Sequence, residues 1–453
     1  MDVIEKQETV TVTAVGSGGR GIATLPSGKK IFIPGVLPGE SCDVKITVDK
    51  SSYAEGICTH LHNESPERVL PFGTAIPGED LAHLSYEGQL LYKEELVKSC
   101  LIRLAKIDPI HVEKILRPIL PSEPHAGYRD HMQYRISGGR ICLTGEGTDT
   151  PVPADRCTTA YEVFSRTGDV LEEIFKDAPT TLFDGVVMRA SESTHQLLIE
   201  LLSSSSQPHE KTIRDTKDYI SSTGLSEALR SKIPDYELNG ILLRVSHTKT
   251  ERRTRSGNRF LIEGNDWYDE KLLGRDFRIY AGSFFQVNIP VAGKIYSIAK
   301  EYVSGADILW DVYCGTGSIG ICCASEGQTL IGIEAVKAAV DSAKFNASRN
   351  GLTNARFIQR PAENMILDDG TLPTPDVVIL DPPRKGMDQR FTRNLIRLSP
   401  PKIVYISCDP ATLARDLREL TGAGYDIISA TPADMFPNTS HVETVVLMSR
   451  ADR

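Results

Sequence analysis

The chain has 453 residues, 40% hydrophobic and 25% charged, an ordinary globular composition that excludes a fibrous or wholly disordered chain; at roughly 150 residues per domain there is room for about three domains. Lys and Arg number 51 against 60 Asp and Glu, a net charge of −9, which excludes a uniformly basic nucleic-acid coat. A local basic groove remains possible, because charges are screened beyond ~8–10 Å.

No apolar run is long enough for a membrane span, and residues 1–8 are polar and acidic, without a signal-peptide core. The nine cysteines form no CxxC pair and argue against a disulfide framework, so a cytoplasmic protein with no membrane partner is expected. Residues 9–13 alternate Thr and Val, the period of a half-buried strand. Glycine turns follow at 16–21 and 27–28, then strand-like runs at 30–33, 42–48 and 53–60. Five short strands with such turns predict a small closed β-barrel of the OB type over residues 1–62. Arg20, Lys29, Lys30 and Lys45 favour an RNA-holding barrel over a plain β appendage. Residues 63–78, rich in Pro and Gly, read as a linker. Residues 84–106 predict one long helix, with Leu90, Leu91, Leu96, Val97, Leu101 and Leu104 as its apolar stripe. Between 117 and 266 the pattern is mixed, with strands at 186–189, 197–202 and 240–246 and one helix at 211–223, which predicts a central α+β domain over 63–270. There, residues 247–259 carry Lys249, Arg252, Arg253, Arg255 and Arg259 against Glu251 alone; a solvated hairpin tip and a phosphate-contacting loop both fit.

Over 271–453 strand and helix alternate regularly. Buried-type strands at 308–312, 329–333, 355–359, 377–380 and 403–406, with helices such as 336–350 and 388–398 between them, predict an open doubly wound Rossmann-like sheet. The first of these strands runs into Gly315, Gly317 and Gly320, a G-x-G-x-x-G at a strand-to-helix turn, where glycine lets the backbone approach a ligand. At the end of the second strand, Glu334 is placed to accept both ribose hydroxyls of a nucleoside, which fits a dinucleotide or S-adenosylmethionine.

The fourth strand runs into Asp381-Pro-Pro-Arg-Lys-Gly386, whose prolines make a rigid stop that fixes the aspartate at the strand end. Hydride-transferring Rossmann domains have no need of this element. Arg384, where amino-group methyltransferases often carry an aromatic residue, argues against methylation at nitrogen. The fifth strand ends in Ser407-Cys408-Asp409-Pro410. Buried cysteines are usually inert packing, but Cys408 stands on the carboxyl edge along which open α/β sheets bind ligands. Glu443 precedes the last strand, 444–448; if that strand is antiparallel, Glu443 faces Cys408 across one pocket. A thiol and a carboxylate beside a methyl donor point to pyrimidine C5, which is too weakly nucleophilic to be methylated directly. Thiolate addition at C6 gives C5 carbanion character, and a base then removes the C5 proton. Cys408 is the expected nucleophile and Glu443 the expected base.

With these residues in hand, the sequence resembles the RNA uracil-C5 methyltransferase family, with an N-terminal TRAM domain as in its 23S rRNA branch. The matching stretches are Ser283-Phe-Phe-Gln286-Val-Asn288, the loop 311–317, Asp381-Pro-Pro-Arg-Lys-Gly386, residues 407–416 and His441-Val-Glu-Thr-Val445. They cover the C-terminal domain well and the centre poorly. The resemblance implies that Gln286, Tyr313, Glu334 and Asp381 bind S-adenosylmethionine, and that the helix over 84–106 packs on the methyltransferase domain. It implies a monomer that flips a uridine of structured RNA into its pocket, in 23S rRNA first and at uridine 54 of tRNA as the alternative. Several relatives carry an iron–sulfur cluster on three close cysteines before the segment matching His83-Leu-Ser-Tyr86, plus a fourth further on. Here residues 71–84 hold no cysteine and only Cys157 stands where the fourth would be, so no cluster and no metal site is expected. Tyr128-Arg129-Asp130 stands where the family usually has Tyr-Arg-Asn. Two other functions are compatible with parts of the chain. A nicotinamide-dependent oxidoreductase leaves Asp381, Cys408 and Glu443 unexplained. An RNA-binding module with decayed catalysis is motivated by the missing cluster cysteines.

Overall fold

The computed structural model describes residues 7–74, 76–144, 150–176, 182–204, 207–247, 257–364 and 372–450. Strands β1 (Gln7–Val15), β2 (Gly21–Thr24), β3 (Lys30–Ile33), β4 (Ser41–Asp49) and β5 (Tyr53–Leu61) close a barrel in the order β1-β2-β3-β5-β4. Their alternation turns Val10, Val12, Ile31, Ile33 and Val44 inward, with Cys42 and Cys58 among them. The cations that favoured RNA are largely engaged within the barrel. Arg20 pairs with Glu55 at 3.3 Å and stands over the Phe32 ring, Lys29 pairs with Asp49, and Lys30 donates to Thr24 Oγ1.

The helix Tyr86–Arg103 starts at a Ser85 cap and is shorter than the 84–106 span read from the sequence. Its buried residues are Gln89, Lys93, Val97 and Leu101, so the expected stripe holds at Val97 and Leu101, with Leu96 packed beside them, and is corrected at Leu91, 70% exposed, and Leu104, 45% exposed. Gln89 and Lys93 extend the buried face because each finds polar partners on a distant loop. Val97 and Leu101 lie in one core with Trp310, Val378, Tyr405 and Val446 of the C-terminal sheet.

The central sheet contains β6 (His131–Ser137), β7 (Arg140–Thr144), β8 (Pro151–Pro153), β9 (Gly185–Ser191), β10 (Gln196–Ser203), β11 (Glu237–Val245) and β12 (Asn258–Gly264), in the order β12-β11-β10-β9-β6-β7-β8. Helices Glu162–Phe175, His209–Thr223 and Leu225–Lys232 accompany it. The sequence reading found one of these helices. The first buries Val163, Phe164, Val170, Leu171 and Phe175 at helical spacing, a period the sequence reading passed over. Of the basic stretch, Lys249, Arg252, Arg253 and Arg255 lie outside the described residues, and Arg259 is ion-paired to buried Glu200 at 2.5 Å. The hairpin β13 (Trp267–Leu272) and β14 (Arg275–Tyr280) leads into the C-terminal sheet.

That sheet contains β15 (Ile308–Val312), β16 (Thr329–Glu334), β17 (Ala355–Gln359), β18 (Val377–Leu380), β19 (Lys402–Ser407), β20 (Tyr425–Ala433) and β21 (Glu443–Arg450). The order is β17-β16-β15-β18-β19-β21-β20, with β21 antiparallel to both neighbours. Alternate residues of each strand feed two cores. Leu309, Ile379 and Val404 pack under the helices Ile289–Tyr302 and Lys337–Arg349. Trp310, Val378 and Ile403 pack under Gln389–Leu398, Pro410–Gly422 and the helix Tyr86–Arg103. The two-faced sheet leaves its carboxyl edge open for chemistry. Among the described residues no helix is long and apolar enough to cross a membrane.

Candidate active site

The glycine turn is shaped by steric necessity. Gly315 and Gly317 have φ of 53° and 80°, a region that favours residues without a side chain. At Gly320 a Cβ would stand 2.7 Å from Asp311 Oδ2, and the Gly320 N–H donates to that same oxygen at 2.9 Å. The other Asp311 oxygen has no hydrogen-bond partner, and burial pushes its carboxyl up to about 7. Tyr313, also at positive φ, sets its ring edge-on to Phe391 at 5.6 Å. Glu334 is aimed by backbone donors: Gly315 N at 3.1 Å on one oxygen and Val336 N at 2.7 Å on the other. Gln286 is buried just before Asn288, which caps the helix Ile289–Tyr302 and donates to Ser122 Oγ and to the Met435 carbonyl. Asp381 is half-buried at the end of β18, and burial followed by the charge of Asp311 raises its carboxyl to about 7.

Cys408 and Glu443 come together through strand register. Ser407 of β19 pairs with Thr444 of β21, so Cys408 and Glu443 are the next residues out at the carboxyl edge. All nine cysteines are free thiols, and Cys408 is half-buried. Burial pushes its thiol up to about 12; the charges of Glu443 and Asp381 push the same way, and Arg384 opposes them. Glu443 is 3% exposed, and one of its carboxylate oxygens has no hydrogen-bond partner. Burial, then Asp381, raises its carboxyl to about 8, again against Arg384. Arg384 lies 3.3 Å from His441, and burial lowers the pKa of that imidazole.

The loop that carries Arg384 is clamped as well as stiffened by its prolines. Buried Asp416 accepts from Met387 N at 2.8 Å and Tyr405 OH at 2.6 Å, Arg415 donates to the Lys385 carbonyl, and Thr412 to that of Arg384. The sequence had placed Cys408, Glu443, Asp381 and Glu334 at the carboxyl edge, and the resemblance had added Tyr313 and Gln286. Both missed the electrostatic place of Arg384 and the burial of Asp311 and Asp416, for which the only signal was adjacency to the motifs. Cys157 lies apart, half-buried, its sulfur 3.5 Å from Thr159 Oγ1. Among the described residues no group of three or more His, Cys, Asp or Glu side chains is placed to hold a metal ion.

Residues 243–451 match the model of the tRNA (uracil-5-)-methyltransferase family, and residues 5–59 that of the TRAM domain. An uncharacterized RNA methyltransferase of Caldanaerobacter subterraneus is 32% identical, over 98% of each chain. Another, of Chlorobaculum tepidum, is 30% identical over 100% of this chain and 97% of its own. The crystal structure of Pyrococcus abyssi tRNA (uracil-54, C5)-methyltransferase in complex with S-adenosyl-L-homocysteine is similar in fold, with a TM-score of 0.74 at 24% identity over 97% of this chain and 99% of that one.

Proposed function

The chain belongs to the tRNA (uracil-5-)-methyltransferase family of S-adenosylmethionine-dependent RNA enzymes, and on that premise we propose that it methylates C5 of a uridine in 23S rRNA through a covalent bond between Cys408 and C6. One observation carries the reading: Cys408, directly after β19, and Glu443, at the start of the adjacent antiparallel β21, stand at the same sheet edge as the glycine turn and Asp381.

The residues fit the methyl donor. The turn at Gly315 and Gly317 leaves backbone accessible to a ligand, Glu334 is held at a strand end for a ribose, and Asp311 presents a buried oxygen without a partner. Glu334, Asp381, Tyr313 and Gln286 would hold S-adenosylmethionine, which supplies an electrophilic methyl group. Cys408 would attack C6 as the thiolate, the C5–C6 double bond would open to an enolate, and C5 would take the methyl group as the donor's S–CH3 bond breaks and its electron pair stays on sulfur, leaving the neutral thioether S-adenosylhomocysteine. Glu443 in its ionised form removes the C5 proton, the enolate reforms, and the C6–S bond breaks with return of the thiolate. Burial and two neighbouring carboxylates keep the resting thiol protonated, so Arg384 is the nearby charge that favours thiolate formation.

The reading includes a cytoplasmic monomer in three parts: an RNA-holding barrel over 1–62, a central domain over 63–270 and the methyltransferase domain over 271–453. The barrel supports ribosomal RNA as target. The second reading, uridine 54 of tRNA, is favoured by the family's description and by the named activity of the Pyrococcus abyssi enzyme. Radiolabelled methyl donor with 23S rRNA and tRNA transcripts, followed by mass-spectrometric mapping, tests both. 5-Methyluridine in 23S rRNA is expected. Its appearance in tRNA alone transfers the function to the second reading, and a methylated base other than 5-methyluridine overturns both.

A further inference from the structure

The helix Tyr86–Arg103 buries two polar side chains, Gln89 and Lys93, where a packing helix ordinarily presents apolar ones. Both reach the connection between β20 and β21. Lys93 and Asp434 form an ion pair with neither side chain exposed, and Lys93 also donates to the Phe436 carbonyl at 2.9 Å. Gln89 donates to Asn438 Oδ1 at 3.0 Å and accepts from the Asn438 N–H at 2.8 Å. Further fastenings converge on the same loop: Leu81 N donates to the Asn438 carbonyl, Tyr128 OH to that of Pro437, and Ser440 N to Asp80. The loop is therefore shaped from outside the methyltransferase sheet. Its two ends frame the base. Asp434 follows Ala433, and Ala433 is the cross-strand partner of Glu443.

We propose that Lys93, assisted by Gln89, is a positioning residue for the proton-abstraction step, holding the β20–β21 connection so that Glu443 is set against the substrate bound to Cys408. This rests on the assignment of Glu443 as base. A buried ion pair stripped of one partner leaves an uncompensated charge, which moves the backbone that carries it. A displacement on the order of 1 Å at a reacting group lowers rate by about a hundredfold. Cys408 directly follows β19, which does not adjoin the β20–β21 connection in sequence, so its attack on C6 is spared.

The test separates the two steps in the full-length protein. RNA containing 5-fluorouridine takes Cys408 attack and methyl transfer but has no C5 proton to lose, so its adduct reports everything before the base acts. For Lys93→Met the turnover of ordinary RNA is expected to fall by about tenfold to a hundredfold. The rate of fluorouridine adduct formation and the KM for RNA are expected to stay within about twofold, and the covalent species is expected to accumulate on ordinary uridine. Gln89→Leu, which leaves the ion pair intact, is expected to show the same pattern more weakly and decides the matter if Lys93→Met does not fold. Turnover and fluorouridine adduct falling by one common factor, or neither falling, overturns the proposal. Glu443→Gln is the control on the premise. If it does not accumulate the covalent species, the base assignment itself has failed and takes the positioning role with it.

Discussion

Glu443 is buried with one oxygen unpartnered, and that environment favours its neutral acid over its anion. A base must be ionised to act, so turnover is expected to rise with pH through about 8, the value to which burial and Asp381 push this carboxyl. Glu443→Gln should be slow at every pH, and a pH–rate profile under saturating RNA checks both. The same raised value predicts a stability effect of definite sign. Between the ordinary 4.5 and about 8 the folded chain holds this proton more tightly than the unfolded chain, so stability drains away as pH rises through that window. Glu443→Gln is therefore expected to be more stable than the natural chain above pH 8, by about 5 kcal/mol. Denaturant titrations should show the gain vanishing toward pH 4.5. At this scale the two central residues were legible because a topological argument, a last strand running antiparallel, placed them on one edge. The opposing charge of Arg384 and the orphaned oxygen of Asp311 were not, because both depend on contacts between elements far apart in sequence.

Among elements, the turn after β15 and the helix it opens into are constrained by the close approach of Gly320 to Asp311. Gly320→Ala puts a methyl group 2.7 Å from a carboxylate oxygen and 2.8 Å from Leu330 Cδ1, neither of which has room to retreat in a packed core. The expected cost is about 1–3 kcal/mol of stability. The affinity for S-adenosyl-L-homocysteine, measured by calorimetry, is expected to weaken by at least about tenfold as the turn distorts. The glycine motif was legible because its spacing encodes this contact directly. The helix Tyr86–Arg103 was legible as a helix and in part of its buried face, Val97 and Leu101, but not in the polar half of that face. Leucines suggested one face, while the buried face contains Gln89 and Lys93, whose partners Asn438 and Asp434 lie near the far end of the chain. Periodicity records which residues are apolar; it does not record which polar residues will find partners.

For the molecule as a whole, the barrel is joined to the rest by Leu37 packing with Leu81 and Leu84, by Tyr92 OH donating to the Gly16 carbonyl, and by contacts around Glu40. This buried carboxylate accepts from Arg68 Nε at 2.6 Å, Ser65 N at 3.1 Å and Leu37 N at 2.7 Å; burial pushes its carboxyl up, and Arg68 with these backbone donors outweighs burial and holds it below the usual range. Arg68→Ala leaves Glu40 buried without its cation, and a loss of about 3–5 kcal/mol is expected, confined to the barrel. Scanning calorimetry should resolve an early barrel transition, with RNA affinity falling and S-adenosyl-L-homocysteine binding unchanged. The order of barrel, mixed centre and doubly wound sheet was legible from turn signals and strand–helix alternation. The central strand order was not, because β10 pairs in parallel with β11 and β9 reaches back to β6, pairings that no local pattern records. The central claim, that one sulfur forms a bond to the substrate base, is tested most directly by trapping. The natural protein is incubated with S-adenosylmethionine and RNA containing 5-fluorouridine, then digested, and the cross-linked peptide is identified by mass spectrometry. The account predicts a peptide containing Cys408, formed only with the methyl donor present and absent from Cys408→Ala. A cross-link at a different cysteine, or none at all under conditions where ordinary RNA is methylated, contradicts it.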